Sequence, residues 1–169
     1  MTDDRPDPPL EAPEREMLNA WLDFHRATLA WKCEGLSDAQ LRERAVPPST
    51  MSLLGLVRHM ADVELNWFRR VLSAEAIVGG HFWNPENKDG DFDDVDDASV
   101  EEAFATWRDE CDNARTVAAR MQLDDTALQA RRNEQVSLRW VLVHMIEEYA
   151  RHNGHADLLR QRIDGSTGD

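Results

Sequence analysis

The sequence predicts an all-α protein, a four-helix bundle with one long acidic crossover loop. Three observations predict it. Four stretches of roughly 20 to 27 residues carry apolar side chains at three- and four-residue spacing. Helix-stopping residues separate them, namely Gly35, Pro47-Pro48 and Gly79-Gly80. No stretch alternates apolar and polar residues over enough positions to make a half-buried strand.

Residues 1–12 are acidic and proline-rich, the composition of a flexible tail, and lack the apolar run of a signal peptide. One domain is expected over residues 13–165. Pro13 can open a helix, and Glu14 and Glu16 suit its positive end. That helix is expected to reach Cys33, with Met17, Trp21, Phe24, Thr28 and Trp31 as its apolar face. Ser37 and Gln40 resemble a capping box, so a short helical turn follows Gly35. Ser49 or Thr50 is expected to cap a second helix, Met51 to Ser73. Its stripe is Leu53, Leu56, Met60, Val63, Trp67 and Val71, with His59 on the flank and Asn66 and Arg70 one face over. His81 to Asp97 is acidic and aperiodic, a loop. Ser99 with Glu102 signals a third helix running to Met121, which buries Ala103, Phe104, Trp107, Cys111, Ala114 and Val117. Residues 122–136 read as a polar connection, and Ser137 to Ile163 as the last helix.

The 169 residues suffice for one domain with a real core, and 41% hydrophobic residues mark a folded chain. A net charge of −14 argues against nucleic acid or an anionic membrane as partners, since both call for a basic patch. No apolar run approaches the ~18 residues of a membrane span. Cys33 and Cys111 stand far apart without a CxxC motif, which points to a reduced, cytoplasmic protein lacking disulfides. Cys111 falls on an apolar face and reads as a core thiol. Cys33 sits near a helix C-terminus, where the dipole disfavours a thiolate. Lys32 and Lys88 are the only lysines, an arginine bias of the kind found in high-GC bacterial genomes.

The last helix carries the residues that point to chemistry. Leu138, Val141, Met145, Leu159 and Ile163 form one stripe at about 100° per residue. Glu148 and His152 fall inside it, one turn apart. A carboxylate and an imidazole on a buried face each cost several kcal/mol unless compensated. A metal ion or a dense hydrogen-bond network would compensate both. A metal reading calls for a third ligand from another element, and His59 is the candidate. Two imidazoles and one carboxylate leave a position open for water or substrate, the mark of a catalytic site. The same spacing also fits a hydrogen-bonded core histidine and a helix-surface Glu–His pair. His144, two turns before His152, and His155 compete for the ligand roles; His155 is expected behind the ligands or lining the pocket. Arg139 and Arg151 suit salt bridges, and Asp157 falls on the opposite, solvated face. Asn87 to Gly90 shares part of the calcium-loop pattern, but Pro85 occupies its first ligand position and Asp96 its last. There is no GxSxG, glycine-rich phosphate loop or dinucleotide fingerprint.

The segments SLLGLVRHMADVELNWFRR and SLRWVLVHMIEEYARHNGHADLLRQRIDG closely resemble the second and fourth helices of the DinB-like (YfiT-like) metalloenzyme superfamily. Within it they are most similar to a small actinobacterial domain-of-unknown-function branch beside the mycothiol-dependent enzymes. The resemblance covers nearly the whole chain from the first helix onward. It implies a four-helix bundle of up-down-down-up topology. It also implies a metal triad of one histidine from the second helix and two residues a turn apart on the fourth. Carried over, the ligands are His59, Glu148 and His152. Many members have a histidine where this chain has Glu148. A glutamate there is similar to the mycothiol-dependent maleylpyruvate isomerase pattern, in which a glutamine usually follows where this chain has His155.

The resemblance implies a divalent metal, Zn²⁺ above all, with Ni²⁺ or Fe²⁺ as alternatives. It implies a low-molecular-weight thiol, mycothiol or similar, as cosubstrate. The expected activity is metal-dependent thiol S-transfer or isomerisation on a small electrophile. Two imidazoles and a carboxylate also suit a non-haem iron oxygenase or a metal hydrolase. A non-catalytic bundle that dimerises through its tryptophan-rich first and third helices is the remaining alternative.

Overall fold

The computed structural model describes residues 5–129 and 133–168, and it is mostly helical. Its elements are α1 (Glu14–Cys33), α2 (Asp38–Arg42), α3 (Leu53–Glu64), α4 (Gly90–Asp93), α5 (Val100–Ala119), strands β1 (Thr126–Gln129) and β2 (Glu134–Ser137), and α6 (Leu138–Asp164). α3 runs on without a break as a π-helix over Leu65–Leu72. α1 packs along α6, α3 and its π-helical continuation pack along α5, and α3 also touches α6 and α1. No described helix is long and apolar enough to cross a membrane. Of the expected tail, residues 1–4 lie outside the described residues; Arg5 donates from Nη1 to Thr28 Oγ1 at 2.7 Å and stacks over the Phe24 and Trp31 rings.

Caps decide where the helices begin. Ser37 and Gln40 complete the capping box of α2, Ser99 accepts from the Glu102 amide, and Ser137 accepts from the Trp140 amide. α3 corrects the expected cap at Ser49 or Thr50. Ser49 Oγ accepts from the Met51 amide in a local turn, and Ser52, extended at φ −132°, caps the helix by accepting from Gly55 at 3.0 Å. α6 ends at Gly165, which takes the left-handed conformation a helix stop favours.

The helical expectation holds for most of the chain, and the connection expected over residues 122–136 is corrected by a short β-hairpin within it. β1 pairs antiparallel with β2, with Thr126 opposite Ser137 and Gln129 opposite Glu134. Four-residue strands are too short to show alternation against a polar background, so periodicity misses them. Residues 130–132 of that connection lie outside the described residues.

The face of α1 is corrected in part, with Thr28 buried as expected. Leu22, Leu29 and Cys33 are buried, while Trp21 remains 42% exposed. The inward face carries Arg26, 5% exposed, and Lys32 is buried as well. Two cations on buried positions make the true face read as polar. Lys32 Nζ lies 2.6 Å from Asp157, so Asp157 is an ion-pair partner rather than a purely solvated group.

Arg26 enters a buried polar network at the centre of the helices. Its Nε and Nη2 donate to the two oxygens of the fully buried Glu64, both at 2.8 Å. Tyr149 O–H donates to Glu64 Oε1 at 2.8 Å, and Trp107 Nε1 donates to the Tyr149 oxygen at 2.8 Å. Cys111 Sγ completes it, 3.6 Å from Glu64 Oε1. The network ties α1, α3, α5 and α6 together at a fixed register. Burial pushes both the Cys33 and Cys111 thiols up to about 12, so neither offers a thiolate near neutral pH.

The π-helix begins immediately after Glu64 and changes the facing of the next two turns. Leu65, Phe68, Val71 and Leu72 turn inward. Trp67, expected in the core, is half-buried and shares a cavity wall with His59, Asp62, Val63, Asn66 and Arg70. π-helical turns concentrate at functional sites.

Candidate metal centre

His59 projects from the middle of α3, and Glu148 and His152 from successive turns of α6. One ligand atom from each lies within 4.8 Å of the other two. All three residues are half-buried. The His59 and His152 rings meet edge to face with centroids 4.8 Å apart, and His152 Nε2 lies 3.5 Å from Glu148 Oε2. A hydrogen bond to His152, joined by the charges of His144 and His59, holds the Glu148 carboxyl below the usual range against the effect of burial.

The donor set fits a divalent cation. His59 Nδ1 lies 2.7 Å from Asp91 Oδ2, and donation to that carboxylate leaves Nε2 available to a cation. A carboxylate behind an imidazole fixes its tautomer and raises its basicity, the usual arrangement behind a metal-bound histidine. His155 Nδ1 lies 3.4 Å from His152 Nδ1, so the second imidazole is backed as well. Burial, then the neighbouring His152 and Arg151, lower the His155 pKa and favour its neutral form.

His144 reaches Glu148 but does not form one close group with His59 and His152. Its ring stacks on Trp140 at 4.9 Å and meets Trp67 edge-on at 4.7 Å. Its Nε2 reaches Glu148 Oε1 at 3.4 Å, and its Nδ1 reaches Glu147 Oε2 at 3.5 Å. His144, Glu147 and Glu148 form a second close group of ligand-type side chains. All three belong to one helix and Glu147 is exposed, whereas the His59 group joins two elements across the interior. Glu148 therefore presents one oxygen toward each group. Arg151 pairs with Glu147, and Arg139 with Glu14 and Asp124.

Sequence reasoning missed Asp91 and Asp62. Asp91 belongs to the stretch expected to be an aperiodic loop, which in fact contains α4 and a buried carboxylate turned toward His59. Arg58 holds it there by donating to the Asp91 and Gly90 carbonyls at 3.0 and 2.9 Å, with Phe82 stacked on its guanidinium. Asp62 accepts from the His81 and Phe82 amides and so pins the start of the loop to α3. Gly80 permits that approach, since a Cβ there would stand 2.4 Å from Asp62 Oδ1. Nothing in a run of closely spaced aspartates marks one of them as inward-facing; the placement arises from tertiary contacts.

A cavity of about 670 Å³ opens beside the triad, lined by His59, Glu148, Asp62, Asp91, Asn66, Arg70 and the indoles of Trp67 and Trp83. It is large enough for a small organic substrate next to the ligand atoms.

The family model of the mycothiol-S-transferases matches residues 17–165. The chain belongs to the mycothiol-S-transferase family. That family is a DinB-like branch, in agreement with the resemblance carried by the α3 and α6 segments. No curated protein sequence matches the chain. The match spans α1 through α6, so the triad, the carboxylate behind His59 and the cavity all fall within the family region of this mycothiol-S-transferase relative.

If His59 is a metal ligand oriented by Asp91, Asp91→Asn will lower affinity for a divalent ion about 10- to 100-fold, the usual effect of removing such a partner. Competition against a chromogenic chelator measures it. Unchanged affinity would show that Asp91 does not orient His59 toward a metal ion.

Proposed function

We propose that this protein is a metal-dependent mycothiol S-transferase, with His59, Glu148 and His152 holding one divalent ion, Zn²⁺ in preference to Ni²⁺ or Fe²⁺. The observation that carries the reading is the convergence of these side chains from α3 and α6 beside a cavity, in a chain of the mycothiol-S-transferase family. The fold is then a four-helix bundle of up-down-down-up topology spanning residues 13–165.

A divalent ion at this position supplies one thing, a lowered pKa for the thiol it binds, and hence a nucleophilic sulfur near neutral pH. The rest belongs to the chain's own residues. Asp91 and His155 hold the two imidazoles in the tautomers that face Glu148. The Arg26–Glu64–Tyr149 network fixes the turn of α6 that carries Glu148, because Tyr149 is the next residue. Trp67 and Trp83 wall the cavity with apolar surface against which an electrophile can rest beside the sulfur. Cys33 and Cys111 take no part, since both thiols are buried and held protonated. Mycothiol and the electrophile are small-molecule partners, the protein acts in the cytoplasm, and a homodimer is compatible with exposed Trp21 and Trp140.

The test is conjugation of mycothiol to a small electrophile by zinc-loaded protein, followed by mass spectrometry of the product. The proposal expects protein-dependent conjugate that disappears on chelation and returns with added zinc. Protein that binds metal stoichiometrically yet forms no conjugate with any of a panel of electrophiles would contradict it.

A further inference from the structure

The cavity beside the triad is lined by two cations, Arg70 and Lys88, that form no ion pair among the described residues. Arg70 lies on the π-helical continuation of α3. Its Nη1 donates to Asn66 Oδ1 at 2.6 Å, its Nε donates to the Ile77 carbonyl at 3.1 Å, and its Nη2 donates to the Gly79 carbonyl. All three acceptors are neutral. A guanidinium carries five N–H donors, so two remain after these bonds. Lys88 lines the same cavity and forms no ion pair among the described residues.

Such cations are unexpected in this chain, which has 33 acidic residues against 19 lysines and arginines. Arg26, Arg69, Arg115 and Arg139 all pair with carboxylates. The cavity has three carboxylates too, and none of them forms an ion pair with Arg70 or Lys88 among the described residues. Asp62 receives the His81 and Phe82 amides, Asp91 receives His59, and Glu148 faces His144 and His152. What remains is a guanidinium braced by three neutral acceptors, a lysine, and two indole walls at Trp67 and Trp83. Braced arginine is the side chain best suited to paired hydrogen bonds with a carboxylate.

We infer that the electrophile this site accepts is a flat organic anion, a carboxylate whose charged end is held by Arg70 and Lys88 while its body rests between Trp67 and Trp83. The inference rests on the thiol-transfer reading for the word electrophile, but the anion site is defined by this chain's own residues. A purely structural Arg70, strapping residues 77–79 to the helix, would use the three neutral bonds and give no preference for charge.

The test uses matched probes on the protein with zinc bound. Binding of 4-methylbenzoate and 4-methylbenzamide is followed by calorimetry. Turnover is followed with 4-(chloromethyl)benzoate and 4-(chloromethyl)benzamide. In turnover the thiol sulfur forms a C–S bond, the C–Cl bond breaks, chloride leaves with the bonding pair, and the thiol proton passes to buffer. We expect the benzoates to be preferred about 10- to 100-fold in both assays, the range of a charge-assisted hydrogen bond. In Arg70→Met that ratio should fall toward one, with the KM for the benzoate rising and the KM for mycothiol unmoved. Lys88→Gln, an exposed change that spares the fold, should lower the ratio a few-fold. Equal binding of benzoate and benzamide by the wild type would overturn the inference. So would a preference that survives in both variants, since the anion would then sit elsewhere. A benzoate preference in binding without any thiol-dependent turnover would support the anion site and count against the transfer reading alone.

Discussion

Arg26→Met is expected to cost about 3–5 kcal/mol of folding stability, the usual result of leaving one partner of a buried ion pair uncompensated. Glu64 is 0% exposed and spends both carboxylate oxygens on Arg26, with Tyr149 adding a third donor. Without the guanidinium, the carboxylate must either stay charged in an apolar interior or take up a proton. For a chain of this length each kcal/mol moves the melting temperature by about 2–4 °C, so thermal unfolding should fall by roughly 10 °C. The pair is not expected to be worth that much in itself. Replacing the set with apolar groups, as Arg26→Met with Glu64→Leu and Tyr149→Phe, should recover most of the loss, because the desolvation cost disappears along with the attraction. A single Arg26→Met variant as stable as wild type would mean that the buried Arg26–Glu64 contact does not hold the helices in register. A triple variant that is stable but loses activity would assign the network its positioning role beside Glu148.

His152→Ala and His59→Ala are expected to lower kcat/KM for mycothiol conjugation by more than about 100-fold, beyond the range that partners behind the ligands produce. Without a bound ion the thiol returns to an ordinary pKa of about 8.5 and is mostly protonated at neutral pH. The loss should fall on kcat and kcat/KM together, as it does when an interaction specific to the transition state is removed. His155→Ala, which removes only the group backing His152, should do less. Fluorescence-detected conjugation at saturating mycothiol measures all three. Equal losses at positions 59, 152 and 155 would point to a general collapse of the cavity rather than to ligation.

Much of the helical framework is legible in the sequence because caps and periodicity are local signals. Ser37, Ser99 and Ser137 each announce a helix and each accepts the amide expected of a cap. The stripe on α6 places Glu148 and His152 together through nothing more than a turn of 3.6 residues. His59 stands out from the sequence as the residue that could complete a ligand set with them. The hidden features depend on tertiary partners. Arg26 marks its face of α1 as polar unless Glu64 is known to lie across from it, so the tryptophans draw the face to the wrong side. Asp91 is one acid among many until Arg58 and His59 select it. The hairpin from Thr126 to Ser137 has strands too short for alternation to register. The π-helical turn after Glu64 leaves no periodic trace that distinguishes it from an α-helix, yet it decides that Asn66, Trp67 and Arg70 face the cavity.

The central claim is that His59, Glu148 and His152 hold one divalent ion between α3 and α6. Its most direct measurement is the zinc content of purified wild type beside His59→Ala, Glu148→Ala and His152→Ala, each dialysed against the same free-zinc buffer. The account predicts about one ion per chain in the wild type and almost none in the three variants, all of them still helical by circular dichroism. Folded variants that keep a full complement of zinc, or a wild type that binds none, would contradict it.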